Sequence, residues 1–528
     1  MAGAVDVARA VAALILLTFI SSFPALGAEV RLRLKGGDFE IVGDLAAFDG
    51  TTYLVIAPLV GPMKIDAARF ECLGDACPKV PEKKIAANMA LPVGGGSFAI
   101  AGSGTIGNGL MPALIEAYAE ASGLTMTQAP GADPEGLTVK LSPIQGRTTA
   151  TIDLRRQGSS TAFKELRAGT AEIGMASRPI KDQEVADFAA AGFGNMRDAA
   201  HEHILALDGL VVLVAPDNPL VSISVANLAS IFAGDITNWS ELGGADLPIN
   251  LYAPQEGSGT LDTFQSLVLE PNGRQLSASV KRADHAERSD WVSADPGGIT
   301  FAGIAYVRDA KAVNIEASCG LISRPSHFAM KTEEYPLTRR LYLYTRGRPA
   351  SPFASRFLDF ALSDQAQPSV VRNGFIDQSP EHLDFRDQGA RIAYALNAQD
   401  EDFNLTTMRE LISEISHAQR LTTTLRFNLA SSVLDAKSRR DVERLVDILK
   451  SPTYAGRQVL VLGFSDAVGA YDKNMKLSYD RAKAVLDLLL AAGVTNAVAT
   501  GYGELAPVTC NDTPESRNSN RRVEIWVK

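Results

Sequence analysis

The chain has 528 residues, of which 46% are hydrophobic and 21% are charged, a composition typical of packed globular domains and not of a disordered chain. At about 150 residues per domain, this length predicts three or four domains. The formal charge of −10 at pH 7 argues against a nucleic-acid partner, because no net basic field would gather phosphates.

Residues 1–28 have the pattern of a secretory signal peptide. Arg9 precedes an apolar core over residues 10–20, and the small residues Gly27 and Ala28 offer a cleavage site. The core is too short to span a bilayer as a helix, although an uncleaved anchor is the alternative. No later stretch approaches about 18 uninterrupted apolar residues. The mature chain is therefore expected to be a soluble periplasmic protein.

Residues 29–80 predict a small β-domain. Apolar and polar positions alternate over Val30–Leu34, Phe39–Val42 and Tyr53–Ile56. Turn residues at 36–37 and 49–50 separate these runs and predict hairpin-type turns. A linker over residues 81–96 follows and ends in three glycines.

The predicted export of the protein decides how its four cysteines are interpreted. Cys72 and Cys77 are separated by four residues, and in an oxidising compartment this spacing predicts a local disulfide. The four-residue gap, without a second ligand pair, argues against a zinc or redox site. Cys319 and Cys510 fall in different predicted domains and are expected to be isolated thiols.

Residues 97–378 predict an α/β domain, because short apolar strands alternate with helical stretches. Three turns rich in Gly, Ser and Thr each lead into a predicted helix: Gly102–Thr105, Gly158–Thr161 and Gly257–Thr260. Hydroxyls at such turns cap helices, and glycine lets backbone N–H groups approach an anion closely. One such turn is usually only a helix cap, but three together indicate an anion site.

Enzyme functions are weakly supported in this domain. Gly102, Gly104 and Gly107 match the spacing of a dinucleotide-binding turn, but the match stands alone and an exported protein does not normally meet NAD. His201 and His203 lie on one face of a predicted strand without a further ligand motif, which favours a surface pair over zinc. No catalysis, cofactor or metal is expected.

Two long motifs resemble the signature of phosphate-type (PstS-like) periplasmic binding proteins. They are Asp208–Pro219 and Ile231–Gly244, and Phe357–Asp364 resembles the closing helix of that family. The resemblance covers about residues 97–378. It implies a two-lobed type II binding-protein fold, phosphate or a related oxyanion as ligand, and an ABC importer as a candidate partner.

The same resemblance assigns the anion contacts to hydroxyls and backbone N–H groups of seven residues: Thr105, Ile106, Ser159, Ser177, Ser258, Gly259 and Thr260. Ser177 stands where phosphate binders of the family usually have an Asp that accepts the proton of hydrogen phosphate. Pro254 stands where an Arg is common. These departures weaken affinity and discrimination between anions, and Arg178 and Arg147 are candidate replacements.

Residues 379–420 are polar, include a charged helical segment over Asp400–Gln419, and are predicted to form a connector. Residues 421–528 again predict an α/β domain, with strands at 421–427, 458–463, 498–501 and 522–527 and helices at 437–449 and 477–492. On the second helix, Arg481 shares the apolar stripe of Leu477 and Val485. A guanidinium there needs an anionic partner, either Asp466 in an internal salt bridge or a ligand.

Four segments of this last region resemble the OmpA-like family: Gly463–Asp466, Asn474–Leu489, Gly501–Glu504 and Asn518–Ile525. The resemblance implies binding of the diaminopimelate of peptidoglycan by Asp466, Asn474, Arg481 and Arg521. An Asp and an Arg suit the ammonium and carboxylate of that ligand. Phe464 and Ser465 replace the usual His and Thr of the family.

The sequence thus predicts a multidomain α/β protein. A small N-terminal β-domain precedes the two-lobed binding domain, and an OmpA-like α/β sandwich ends the chain. The expected function is periplasmic oxyanion binding by a protein held non-covalently to peptidoglycan. Two alternatives stay open: a structural envelope protein whose middle domain has lost its ligand, and an enzyme such as an alkaline phosphatase.

Overall fold

The architecture comes from a computed structural model, which describes residues 29–34, 40–48, 52–57, 61–66, 70–73, 77, 96–132, 136–143, 150–256, 258–283, 285–397, 404–427 and 434–528. Residues 1–90 and 91–528 form two compact units. The predicted signal peptide, the hairpin turns at 36–37 and 49–50, and Arg147 lie outside the described residues. No described helix is both long and apolar enough to cross a bilayer.

The N-terminal unit contains one antiparallel sheet. Its strands are β1 (Glu29–Leu34), β2 (Glu40–Phe48), β3 (Thr52–Ala57), β4 (Gly61–Asp66) and β5 (Phe70–Leu73), in the spatial order β4-β3-β2-β1-β5. Val30 and Leu32 are buried whereas Arg31 and Arg33 are exposed, because side chains alternate between the two faces of a strand. The structure joins Cys72 to Cys77 by the predicted disulfide.

The first lobe of the larger unit is a mixed sheet with helices packed on it. Its strands are β6 (Gly96–Gly102), β7 (Leu124–Pro130), β8 (Leu137–Pro143), β9 (Ala150–Arg155) and β10 (Ile173–Ala176). Its helices are α1 (Gly104–Gly107), α2 (Leu110–Ala121), α3 (Ser159–Ala168) and α4 (Asp182–Ala190). The strand order is β10-β6-β9-β8-β7.

The second lobe continues the same sheet. Its strands are β11 (Glu202–Val214), β12 (Ser222–Ser224), β13 (Asn250–Ala253), β14 (Lys281–Arg282), β15 (Gly298–Gly303), β16 (Lys311–Glu316) and β17 (Ile322–Ser323). Its helices are α5 (Val225–Ala233), α6 (Gly259–Phe264), α7 (His285–Ala294) and α8 (His327–Lys331). Residues of β11, α5, α6 and β15 form one large apolar core.

Two long strands connect the lobes. Strand β18 (Thr338–Tyr344) pairs with β10 of the first lobe and with residues 202–209 of β11. Residues 210–214 of β11 then pair with β15 in the second lobe. Helices α9 (Pro352–Ala361) and α10 (Gln367–Arg372) return to the first lobe, where Phe357 contacts Phe98. This curled sheet is the two-lobed fold that the sequence predicts.

The C-terminal sheet is covered on both faces. Its strands are β19 (His382–Asp384), β20 (Gln419–Arg426), β21 (Val459–Gly463), β22 (Ala497–Gly501) and β23 (Arg522–Val527), in the order β19-β20-β23-β21-β22. Its helices are α11 (Gly389–Asn397), α12 (Leu405–Ile415), α13 (Ala436–Leu449), α14 (Tyr471–Ala491) and α15 (Pro514–Asn520). Val459 and Val461 of β21 share a core with α13 and α14, whereas Leu460 and Leu462 share one with α12. The segment expected to be a polar connector is therefore part of this packing.

The prediction that Cys319 and Cys510 are isolated thiols is wrong. They form a disulfide across 191 residues of sequence, between the loop after β16 and the segment after β22. Charged pairs cross the same boundary, since Arg420 of β20 contacts Glu334 and Arg426 contacts Glu333. Sequence spacing could not indicate this bridge, because only the folded arrangement brings the two loops together.

Candidate functional site

The turn at Thr105 is held by close backbone packing. Gly102 has a φ of +140°, and a Cβ there would lie 2.0 Å from the Met175 carbonyl oxygen, so only glycine fits. The N–H of Ser103 donates to that carbonyl at 2.8 Å, and the N–H of Gly158 donates to the Gly102 carbonyl at 2.8 Å. Gly102 of the dinucleotide-like pattern thus has a packing reason, and the turns at Thr105 and Ser159 are brought together.

Ser159 and Ser177 are hydrogen-bonded to each other. The N–H of Ser177 donates to Ser159 Oγ at 3.1 Å, and the two hydroxyl oxygens are 3.3 Å apart. Ser177 is buried, with 6% of its surface exposed. Two of the predicted anion contacts therefore share one hydroxyl cluster in the first lobe.

The third turn, which contains Ser258, belongs to the second lobe and lies near the turn at Thr105. Ser258 is the N-cap residue of α6, and Gly259 and Thr260 are its first two residues. Cα atoms of α6 come within 8 Å of Cα atoms of α1, which contains Thr105 and Ile106. The predicted contacts of the two lobes therefore face each other.

The candidate replacement for the missing arginine is engaged elsewhere. Arg178 binds Glu184 through two hydrogen bonds of 2.8 and 2.9 Å, and its guanidinium lies over the Phe163 ring at 5.0 Å. This contact lowers the pKa of Glu184, which burial alone would raise. Another arginine, Arg339 of β18, donates from Nη2 to Thr105 Oγ1 at 3.3 Å and pairs with Asp208 of β11 at 3.3 Å. Sequence reasoning missed this pair, because the two residues are 131 positions apart.

Arg481 of α14 has an unusual environment. The residue is fully buried, with 0% of its surface exposed, and none of its three guanidinium nitrogens has a hydrogen-bond partner among the described residues. Its guanidinium lies over the Phe427 ring at 5.6 Å. Burial lowers the pKa of Arg481 to about 10, the charge of Arg521 adds to this effect, and the Asp466 carboxylate opposes it.

The other predicted residues of this site make defined contacts. Asp466, in the loop after β21, forms a salt bridge of 2.6 Å with Arg521 at the end of α15. Asn474 donates to Glu504 at 2.9 Å. The internal salt bridge considered for Arg481 and Asp466 is not formed, since the carboxylate is paired with Arg521.

Comparison with known proteins identifies both domains. Residues 91–365 match the PBP superfamily domain, and residues 426–521 match the OmpA family. The chain belongs to the PBP superfamily. The predicted combination of a PstS-like domain with an OmpA-like domain is thereby confirmed.

The PBP superfamily domain has curated relatives. The phosphate-binding protein PstS of Bacillus subtilis (strain 168) is 28% identical over 259 residues, which are 49% of this chain and 81% of the relative. PstS of Pseudomonas aeruginosa strain PAO1 is 29% identical over 253 residues, 43% of this chain and 73% of the relative. Among solved structures, an ABC-type phosphate transport receptor from Vibrio cholerae is 22% identical and covers 53% of this chain and 99% of its own, with a TM-score of 0.41.

The histidines of the PBP domain are not a surface pair, and that prediction is wrong for His203. Its side chain is buried and its Nε2 lies 3.2 Å from Thr345 Oγ1, while His201 Nδ1 lies 3.1 Å from the Thr345 carbonyl oxygen. Burial lowers the pKa of His203 to about 4, and the charge of Arg440 adds to this effect. Within the described ranges, no group of three or more His, Cys, Asp or Glu side chains could hold a metal ion.

Proposed function

We propose that this protein binds phosphate or a related oxyanion in its PBP domain while its OmpA-family domain holds it non-covalently to peptidoglycan. The proposed location is the periplasm, and the proposed activity is binding without catalysis. An ABC importer is the proposed acceptor of the bound anion. We also propose the domain limits expected from the sequence, extended so that α11 and α12 belong to the C-terminal domain.

The anion-binding half is supported by the arrangement of the three turns. Thr105, Ser159 and Ser258 come from separate turns and both lobes, and the helices that follow two of them approach within 8 Å. Hydroxyls and backbone N–H groups bind an oxyanion without net positive charge on the protein. The names of the PstS relatives point to phosphate as that oxyanion.

The proposed binding to peptidoglycan is supported by Arg481, whose buried guanidinium has no hydrogen-bond partner among the described residues. A buried charge without a partner costs several kcal/mol, so its presence is explained best by a ligand that pairs with it. The carboxylate of diaminopimelate would bind Arg481, and its ammonium would bind Asp466, which is 13% exposed at its side chain. The pair would thus recognise both ends of one zwitterion.

A structural envelope protein without a solute is the second candidate function. It is favoured by the mutual hydrogen bond of Ser159 and Ser177, which satisfies both groups without a ligand. Pro254, at the position where the resemblance expects an arginine, favours it as well.

Calorimetric titration of the mature chain with phosphate, arsenate and sulfate distinguishes the two functions. We expect saturable binding of phosphate, and we expect Thr105→Ala and Ser258→Ala each to weaken it by about 1–3 kcal/mol, the scale of a hydrogen bond to a charged group. Absence of heat with all three anions would support the structural function. Sedimentation with purified sacculi tests the anchor separately.

A further inference from the structure

A buried oxyanion is stable only near positive charge or several donors. Pro254 cannot supply a charge, and Arg178 is already paired with Glu184 through two hydrogen bonds. A further cation between the lobes would strengthen the hydroxyl and N–H site proposed above.

Arg339 lies where such a cation would act, next to Thr105. Its side chain is only 9% exposed, and its Nη2 donates to Thr105 Oγ1 at 3.3 Å. A hydroxyl that accepts this hydrogen bond still has its own hydrogen to donate to an anion. The guanidinium is thus one hydrogen bond away from a predicted anion contact.

Asp208 holds Arg339 through one of its two oxygens. The residues are directly opposite each other on β11 and β18, and Asp208 Oδ2 accepts from Arg339 Nε at 3.3 Å and from Thr263 Oγ1 at 3.0 Å. Oδ1 accepts no hydrogen bond from any described side chain or backbone group. One carboxylate oxygen therefore positions the arginine, and the other remains an acceptor.

The pair lies where the two lobes meet. Strands β11 and β18 connect the lobes, Thr105 belongs to α1 of the first lobe, and Thr263 belongs to α6 of the second. Burial lowers the pKa of Arg339, whereas Asp208 and Asp262 act in the opposite direction. Both lobes therefore contribute to the environment of this one arginine.

We propose that Arg339 and Asp208 form the charged part of the anion site, Arg339 as the cation and Asp208 Oδ1 as the acceptor of the anion's proton. The proposal rests on the proposed oxyanion binding. It makes the ligand a tetrahedral oxyanion that carries a proton at neutral pH, such as hydrogen phosphate or hydrogen arsenate. Sulfate has no proton, so its oxygen would face the carboxylate oxygen without a hydrogen bond.

Arg282 is the competing cation. Its Nη1 donates to the Pro254 carbonyl at 2.7 Å, and its Nη2 contacts Glu256 at 3.2 Å. Both contacts hold the backbone and side chain of the turn before α6, in the second lobe only. Arg339 contacts groups of both lobes, and this distinguishes the two candidates.

Calorimetry of the full mature chain with inorganic phosphate and with sulfate tests the proposal. We expect Arg339→Gln to weaken phosphate binding by about 10- to 100-fold, the effect of losing a hydrogen bond to a charged group. We expect Asp208→Asn to reduce the ratio of phosphate to sulfate affinity by about tenfold or more, for the same reason. The control is Arg274→Gln, which removes an arginine paired with Asp235 on the surface of the second lobe and should bind as the parent does.

Removing one partner of a buried ion pair can unfold the protein. The double variant Arg339→Gln with Asp208→Asn therefore removes both charges together. It should melt near the parent and still bind phosphate weakly. A folded double variant with parental affinity, or a larger loss in Arg282→Gln than in Arg339→Gln, would overturn the inference alone. A parent that binds neither anion would overturn the proposed function and this inference with it.

Discussion

Arg481 is the residue whose burial is hardest to explain by folding alone. Its guanidinium is fully buried and has no hydrogen-bond partner among the described residues, and it lies on the face of α14 that also buries Ala482, Val485 and Leu489. An apolar side chain of similar length would fit such a face better, since replacing buried ions by hydrophobic residues is often neutral or stabilising. Stability therefore does not account for the charge.

The first prediction concerns Arg481→Met. The substitution should leave the free energy of unfolding unchanged or raise it by about 1–3 kcal/mol, because it removes a desolvated charge. Sacculus binding should fall by about 2–5 kcal/mol, the cost of removing one partner of a buried charge pair. Chemical denaturation and sedimentation with sacculi measure the two effects. A variant that loses stability and binding in proportion would show that Arg481 is structural.

The second prediction concerns His203 and pH. Burial lowers its pKa to about 4, below the value of about 6.5 in an unfolded chain, so the unfolded state binds more protons between these limits. Stability should then fall as the pH drops from about 6.5 to 4, by about 3 kcal/mol in total from this residue. His203→Gln should remove about 2 kcal/mol of the parent's loss between about pH 7 and 5. Equal losses in parent and variant, measured by denaturant unfolding, would contradict this prediction.

At the scale of elements, the C-terminal domain shows which strands and helices the hydrophobic pattern of the sequence predicts and which it misses. The predicted strand at 522–527 coincides with β23, and the predicted helix at 477–492 lies within one residue of the C-terminal end of α14 but begins six residues after its true start. The polar composition of residues 379–420, with a charged segment over Asp400–Gln419, predicts a connector. Met408, Leu411 and Ile415 nevertheless form a buried stripe at helical spacing.

The third prediction tests that stripe. Leu411→Ala should destabilise the C-terminal domain by about 2–5 kcal/mol, the usual cost of removing a buried leucine side chain, because Leu411 is 1% exposed against the second face of the sheet. The matched control is Leu405→Ala on the same helix, where the side chain is 45% exposed and the effect should stay within about 0.5 kcal/mol. Similar unfolding midpoints for both variants would show that α12 does not belong to this core.

The residues of the candidate sites also fall into those that the sequence could predict and those that it could not. The hydroxyl turns and Arg481 could be predicted, because each stands in a local pattern of glycine and serine or of helical spacing. The partners Arg339 and Asp208, and the pairing of Asp466 with Arg521, could not, since they depend on strands and loops that meet only in the folded chain.

At the scale of the whole molecule, the PBP and OmpA-family domains are joined by more than the chain. The Cys319–Cys510 disulfide and the contacts of Arg420 with Glu334 and of Arg426 with Glu333 cross between them. Residues 91–528 form one compact unit accordingly. An anchor at peptidoglycan would therefore also fix the orientation of the binding domain.

The fourth prediction removes this bridge. Cys319→Ser combined with Cys510→Ser should lower the free energy of unfolding by about 2–5 kcal/mol, the usual cost of losing a native disulfide. Limited proteolysis should then release a C-terminal fragment that stays attached in the unreduced parent. Equal unfolding midpoints and equal proteolysis patterns would show that the disulfide is not needed to hold the two domains together.

The most direct test of a peptidoglycan-held anion-binding protein is co-sedimentation of radiolabelled phosphate with sacculi in the presence of the mature chain. We predict that phosphate sediments in saturable proportion to bound protein and that Arg481→Met abolishes sedimentation of both. Arg339→Gln should leave the protein on the sacculi while phosphate stays in solution. Protein that sediments without phosphate at saturating concentration, or phosphate-loaded protein that does not sediment, would contradict the account.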